Sequence, residues 1–499
     1  MTLYELLTKG EPERRALVVT GGPAYTYREL GEEVQRAADR LAGFGVRRGD
    51  RVALVAPNGA EAVLLFLAAS LAGTAAPLNP AYKEDEFRFY LEDTGARVLL
   101  VPRGGGEAAR RAAPAGCTVI EFSLEPSGRL NLEGADSSVQ TAARPSPNDV
   151  ALVLHTSGTT SRPKLVPIRH RNLTASVANI IAWYRLTADD VAYCVMPLFH
   201  IHGITASTLS TLGSGGTVVV QAGGFNALSF WRGAADHDIS WYSAVPTIHQ
   251  MLLMRAAGER PQGAQRLRFI RSSSSALSPA TMAQLEDVFG APVIEAYSMT
   301  EAAHQMTANP LPPGERRPGT VGIGAGVEVR CVDDDWQPVE PGAAGEVTVK
   351  GANVVDGYEN NPQANAASFR DGWFRTGDQG MLSADGYLSL VGRLKEMINR
   401  GGEKIAPREI DEVLLQHPAV GEAVAFGTPH ERWGEEVAAA VVLTADASER
   451  ELQAFARERL ADYKVPKRIL VVDAIPRTAT GKIQRRNVAE AFKDAVPAR

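Results

Sequence analysis

Cysteine is scarce: Cys117, Cys194 and Cys331 are the only three in 499 residues. They lie too far apart in sequence to suggest a disulfide framework or a thiolate metal cluster, and they fit a reducing compartment. An excess of basic charge is also missing. A formal net charge of -6 offers no electrostatic footprint for nucleic acid or an anionic membrane. No apolar run reaches the roughly 20 residues that a bilayer requires. The best candidate, Ala62 to Pro77, is interrupted by Ser70, Gly73 and Thr74 and reads as a buried core helix. The first residues, MTLYELLTKGEPERR, are acidic early and hold no apolar core before a cleavage site, so they do not read as a secretory leader. A cytoplasmic protein without a membrane span, a nucleic-acid ligand or an obligate protein partner is expected. Two common glycine signatures are absent as well. No G-x-G-x-x-G follows an early strand with a ribose-binding acid at the usual distance, which sets aside a dinucleotide dehydrogenase, and no Walker loop is present.

What is present is the composition of an ordinary folded protein, 44% hydrophobic and 22% charged. The length exceeds what one hydrophobic core sustains, so at least two domains are expected, with room for a cleft between them. Amphipathic helical stretches such as Glu29 to Phe44 alternate with short β-branched runs such as Arg51 to Val55 and Arg97 to Val101. That alternation predicts α/β layers around a largely parallel sheet. Pro102 to Asp149, rich in Gly, Ala, Pro and Ser, reads as a surface excursion. Short strands over Arg330 to Gly357 and at Tyr387 to Val391 predict a β-rich subdomain. Beyond Gly392 the chain becomes more charged. A helix over Pro407 to Gln416 and a strand at Ala423 to Phe426 predict a small α+β domain.

A strand at Val150 to Leu154 runs into HTSGTTSRPK, and a helical pattern starts at Asn172. Hydroxyls and amides after a buried strand, with Lys164 at the far end, can wrap phosphate oxygens. The same composition also suits a surface turn.

TSGTTSRPK is joined, in order along nearly the whole chain, by MPLFHIHG, YSMTE, WFRTGD, GRLKEMINRGGEKI and PRTATGKIQRR. Six such segments in this order resemble the motifs of the adenylate-forming acyl-CoA synthetase superfamily. The resemblance implies a large N-terminal domain over 1–394, of layered α/β subdomains plus a β-rich one. It also implies a small mobile α+β domain over 395–499, hinged near Lys395. ATP, Mg2+ and coenzyme A are the implied cofactors and co-substrates, and a small carboxylic acid is the substrate, joined to coenzyme A through an acyl-adenylate.

Residue by residue, the resemblance assigns Thr156, Ser157, Gly158, Thr159, Thr160 and Lys164 to the β- and γ-phosphates, with Ser161 and Leu165 where relatives often have glycine. Glu301 matches the magnesium carboxylate, and Thr300 a donor to the α-phosphate. Ala296 and Tyr297 match the adenine site, and Asp378 with Arg393 the ribose site. Lys482 matches the lysine that bridges carboxylate and phosphate during adenylation only, and Arg485 and Arg486 after it read as a solvated basic face. Arg400, Gly401 and Gly402 match the loop lining the coenzyme A tunnel, where glycine lets the pantetheine arm pass close to the backbone.

The acyl pocket implied by the same motifs holds His200, a candidate catalytic group, with His202, Ser274, Ser275 and His304, and Ala296 raises its floor. Burying such polar groups against a fatty chain costs roughly 1 to 3 kcal/mol each. A short polar or dicarboxylic acid therefore fits better. SRPK, LFHIHG and MTEAAHQMTANPLP resemble the oxalate-CoA ligase branch, in which His202, Ser274 and His304 hold the second carboxylate. The alternatives are a medium-chain or aromatic acyl-CoA ligase, or an enzyme that loads a carrier protein.

Overall fold

The computed structural model describes residues 1–134, 140–156, 163–477 and 483–495. Two sheets with parallel centres build most of the large N-terminal domain. In the first, five parallel strands lie in the spatial order Thr118–Leu124, Ala96–Pro102, Arg51–Leu54, Thr74–Pro77 and Val150–His155. Antiparallel strands Leu130–Glu133 and Leu165–Arg169 flank them. Thr118–Leu124 and Leu130–Glu133 come from the stretch expected to be an excursion. Its Gly, Pro and Ser residues punctuate two short strands that finish the sheet, so that expectation is corrected.

The apolar stretch behaves as core, but in two pieces. Helix Ala60–Ala72 is buried everywhere except Glu61, as expected of a helix apolar on all sides. It stops at Gly73, where a Cβ would stand 2.7 Å from the Asp50 carbonyl oxygen. The chain then continues as the strand Thr74–Pro77. Helix Tyr27–Gly43 opens on a capping box: Thr26 Oγ1 accepts the Glu29 amide at 3.2 Å, and Glu29 Oε2 accepts the Thr26 amide at 2.8 Å.

The second sheet has nine strands, and three neighbours in it concern the site. Phe269–Ser272 and Val293–Met299 run parallel, and His304–Ala308 returns antiparallel to the latter. A five-stranded antiparallel sheet follows, in which Trp373–Leu382 pairs with Leu388–Arg393 and sets Asp378 opposite Arg393.

From Ile398 onward the chain forms its own five-stranded sheet and its own core, with Ile398, Ile405, Ile410, Leu414, Ala425 and Val437 packed together. Helix Pro407–Leu414 and strand Val420–His430 lie where the residue pattern placed them. Large and small domains of these kinds are the architecture expected. Among the described residues no helix is long and apolar enough to cross a membrane.

Candidate active site

A cavity of about 350 Å³ opens between the strand ends of the second sheet and the small domain. Ala296, Tyr297 and Ser298 border it from one strand, Asp378 and Arg393 from the β-rich subdomain, and Glu396, Arg408, Asp411 and Arg485 from the far side. Asp378 is 5% exposed; its Oδ1 accepts Arg393 Nε at 2.8 Å and its Oδ2 accepts the Tyr297 hydroxyl. Burial first, and then the Asp378 charge, push the Tyr297 phenol well above its ordinary range. Tyr297 therefore borders the cavity with its hydroxyl committed to Asp378. Ala296 presents its carbonyl to Ser273 Oγ at 3.0 Å.

Ser157, Gly158, Thr159, Thr160 and Ser161 lie outside the described residues, as does Lys482. The base of the hairpin between Val150–His155 and Leu165–Arg169, whose loop was expected to hold phosphate, is closed. The Thr156 amide donates to the Lys164 carbonyl at 2.9 Å, and the Lys164 amide to Thr156 Oγ1 at 3.3 Å. Leu165 is buried as the first residue of the returning strand. Burial holds the Lys164 ammonium below its ordinary range, Glu301 opposes that shift, and the positive charge of Lys395 adds to it. Two lysines close enough to repel, beside one carboxylate, suit a polyphosphate.

Thr300 and Glu301 open a short turn after the strand Val293–Met299. Glu301 is 4% exposed, and its Oε1 accepts the Tyr358 hydroxyl at 2.8 Å. The Lys164 ammonium sits over the Tyr358 ring, 4.2 Å from its centroid. Among the described residues no three His, Cys, Asp or Glu side chains gather as a metal cage. A single carboxylate is what Mg2+ uses when phosphate oxygens and water complete its shell, so Glu301 fits that ion.

The acyl set is brought together. His202 and His304 are fully buried, with ring centroids 5.0 Å apart. His202 Nδ1 lies 3.0 Å from Ser274 Oγ, and Ser274 and Ser275 are on the cavity wall. Ser274 has φ +72, Ala303 φ +49 and His304 φ +115, a cluster of backbone strain in one small region. His200 Nδ1 accepts the His202 amide at 3.2 Å, at the start of an eight-residue π-helix, His202–Leu209.

On the small domain, Arg400, Gly401 and Gly402 form the tip of a hairpin joining Ile398–Arg400 to Glu403–Ile405. Arg400 is ion-paired through two nitrogens with Glu436, at 2.6 and 3.0 Å. Lys395 lies in the short turn Leu394–Glu396 that leads into this domain. Arg485, expected on a solvated face, is instead a half-buried bridge: Nη2 is 2.5 Å from Asp411 Oδ2, and Nε 3.4 Å from Glu396 Oε2. The acids that recruit it are 74 and 89 positions away, which no local charge pattern reveals.

The residue pattern also passed over Tyr358, Glu295 and Arg271. Tyr358 stands in the turn-like DGYENNP and carries no local mark of a site. Glu295, on the cavity wall, is 1% exposed, accepts the Leu277 amide at 3.1 Å through Oε1, and is pushed up to about 7 by burial. The missed signal for Arg271 was a charged residue following the apolar pair Phe269 and Ile270 in a strand that the structure buries throughout, Phe269–Ser272.

Residues 7–359 match the model for the AMP-binding enzyme, and residues 409–482 that for the AMP-binding enzyme C-terminal domain. An oxalate–CoA ligase of Arabidopsis thaliana is 48% identical over 98% of this chain and 98% of its own length. The ATP-bound crystal structure of MatB from Rhodopseudomonas palustris superposes with a TM-score of 0.90 at 31% identity, covering 100% of both chains. Apo MatB from the same organism, at the same identity and coverage, superposes less closely, with a TM-score of 0.78.

Proposed function

The chain belongs to the AMP-binding enzyme family and is an ATP-dependent acid–CoA ligase, and we propose that its acid is oxalate or an oxalate-like dicarboxylate. The observation that carries this reading is the Ser274–His202 pair, with His304 beside it, in place of an apolar acyl tunnel. The 48% identity to the Arabidopsis oxalate–CoA ligase supports it. A buried polar set rejects an acid that leaves its donors unpaired, at roughly 1 to 3 kcal/mol per group.

In the first step one carboxylate of the acid attacks the α-phosphorus of ATP and pyrophosphate leaves. In the second, the coenzyme A thiol attacks the carbonyl of the resulting mixed anhydride and AMP leaves. Lys164 and Thr156, with Ser157, Gly158, Thr159 and Thr160, hold the β- and γ-phosphates. Thr300 donates to the α-phosphate, and His200 stands near the reacting carboxylate. Glu301 would hold Mg2+, which would supply positive charge against the phosphates. Ala296 and Tyr297 border the adenine, and Asp378, oriented by Arg393, accepts from the ribose hydroxyls.

Lys482 neutralises the anionic oxygens during adenylation alone. The small domain, 395–499, then turns about Lys395, and Arg400, Gly401 and Gly402 line the path of coenzyme A. The closer superposition on ATP-bound than on apo MatB supports assigning the present arrangement to the adenylation step. The enzyme works in the cytoplasm.

Pyrophosphate release with and without coenzyme A, measured on oxalate, malonate, acetate, a medium-chain fatty acid and 4-coumarate, tests this. Preference for oxalate is expected. Preference for the fatty or aromatic acid would overturn the substrate assignment.

A further inference from the structure

Behind the acyl cluster lies a buried cation with no anion of its own. Arg271 is 0% exposed, and among the described residues no carboxylate lies within ion-pair distance of it. Its guanidinium is spent on neutral acceptors. Nε donates to the Tyr184 hydroxyl at 3.0 Å, Nη2 to Gln305 Oε1 at 3.2 Å, and Nη1 to Ser243 Oγ at 2.9 Å. Ser243, also 0% exposed, stands 2.7 Å from His202 Nε2, on the side of the ring away from Ser274. A buried charge paired only with neutral groups costs several kcal/mol, which is hard to account for as packing alone.

A direction follows from the chemistry of the donors. A guanidinium donates and never accepts, so Ser243 Oγ is the acceptor in its contact with Arg271. Among the described residues, His202 Nε2 is the one remaining partner of that hydroxyl, so the Ser243 proton points at Nε2. His202 Nε2 therefore accepts, the ring proton resides on Nδ1, and Nδ1–H donates to Ser274 Oγ at 3.0 Å. Ser274 is left with its own hydroxyl proton to give, on the cavity wall. The order runs Arg271 to Ser243 to His202 to Ser274, each donating to the next.

We propose that Arg271 is a specificity-determining positioning residue: acting through Ser243, it locks His202 in the Nδ1–H tautomer, so that Ser274 presents a donor to an anionic acyl substrate. The proposal rests on the dicarboxylate reading above for the identity of that anion. Reversing the order turns Ser274 into an acceptor facing a carboxylate, which repels it. The cation, three hydrogen bonds behind Ser274, is also a counter-charge for the substrate's far carboxylate, which brings the negative charge that no protein acid supplies to Arg271.

The test reads the tautomer directly. Two-bond nitrogen–proton NMR correlations of histidine-labelled protein, with His202→Gln to identify the signals, are expected to show a single Nδ1–H form. Ser243→Ala removes the relay while leaving the guanidinium and its other acceptors. It should convert His202 to a mixture containing Nε2–H and raise KM for oxalate roughly tenfold, while KM for ATP holds. Arg271→Lys, which retains the charge on a single donor nitrogen, should keep more of the wild-type tautomer than Arg271→Met. An Nε2–H or doubly protonated His202 in the wild-type enzyme, or a tautomer indifferent to Ser243→Ala, overturns the proposal. The spectrum is read without substrate. Failure of oxalate turnover with a locked Nδ1–H ring therefore refutes the substrate assignment and not the relay.

Discussion

Tyr358 donates its hydroxyl proton to Glu301 Oε1 at 2.8 Å while its ring carries the Lys164 ammonium, 4.2 Å from the centroid. One side chain thus holds a carboxylate and an ammonium of opposite duties near each other. Among the described residues the two charges do not meet as an ion pair, which leaves both free for the proposed roles, Glu301 toward a metal ion and Lys164 toward phosphate. A direct salt bridge between them would have to be broken whenever nucleotide bound.

Tyr358→Phe keeps the ring beneath Lys164 and removes the donor to Glu301. A lost hydrogen bond to a charged group is worth about 1.5 to 3 kcal/mol. Pyrophosphate release is expected to fall by roughly 10- to 100-fold at fixed Mg2+. Titrating Mg2+ should recover part of the loss in Tyr358→Phe and less in Tyr358→Leu, which also removes the ring.

Asp378 is fixed from two sides, by Arg393 and by the Tyr297 hydroxyl. Asp378→Asn retains the shape and removes the charge that both donors address. Weaker nucleotide binding by about 2 kcal/mol is expected, read by calorimetry with ATP, together with a lower melting temperature of the unliganded protein.

Glu295 connects the cavity to pH. Burial raises its carboxyl to about 7, whereas in the unfolded chain it titrates near its ordinary value. Between roughly pH 4.5 and 7 the native state holds a proton that the unfolded chain has released, so stability falls as pH rises through that window. The loss is up to about 3 kcal/mol. Glu295→Gln should flatten this slope and melt higher than the wild type at pH 8, in thermal scans of the unliganded protein.

Gly401 adopts φ +62, and a Cβ there would stand 2.8 Å from the Trp433 ring. Gly401→Ala should displace the hairpin tip carrying Arg400 and Gly402. The expected outcome is slow thioester formation with adenylate formation largely retained, measured as separate single-turnover half-reactions. Lys482→Ala should give the reverse pattern, abolishing adenylation while leaving thioester formation from supplied oxalyl-adenylate. Equal loss of both half-reactions in either variant would refute the division of labour.

The motifs written contiguously in the chain determined the class of chemistry by themselves. YSMTE runs from a strand end into a short turn and WFRTGD lies along a strand, and the period of the apolar residues announced the α/β layers, the β-rich subdomain and the small domain. These signals are local: a capping box or a strand of β-branched residues needs only its neighbours. Tertiary structure decided whatever depends on side chains far apart in sequence.

Arg485 finds Asp411 and Glu396, Tyr358 finds Glu301, and Arg271 finds Ser243 and through it His202. A charge pattern along the chain shows none of these, because a buried polar group is satisfied by whichever partner folding brings within hydrogen-bond reach. The same reason reversed the reading of Pro102 to Asp149, where two short strands became sheet only because Ala96–Pro102 offered an edge to pair with. Sequence named the reaction, and packing chose which buried donors face the acid.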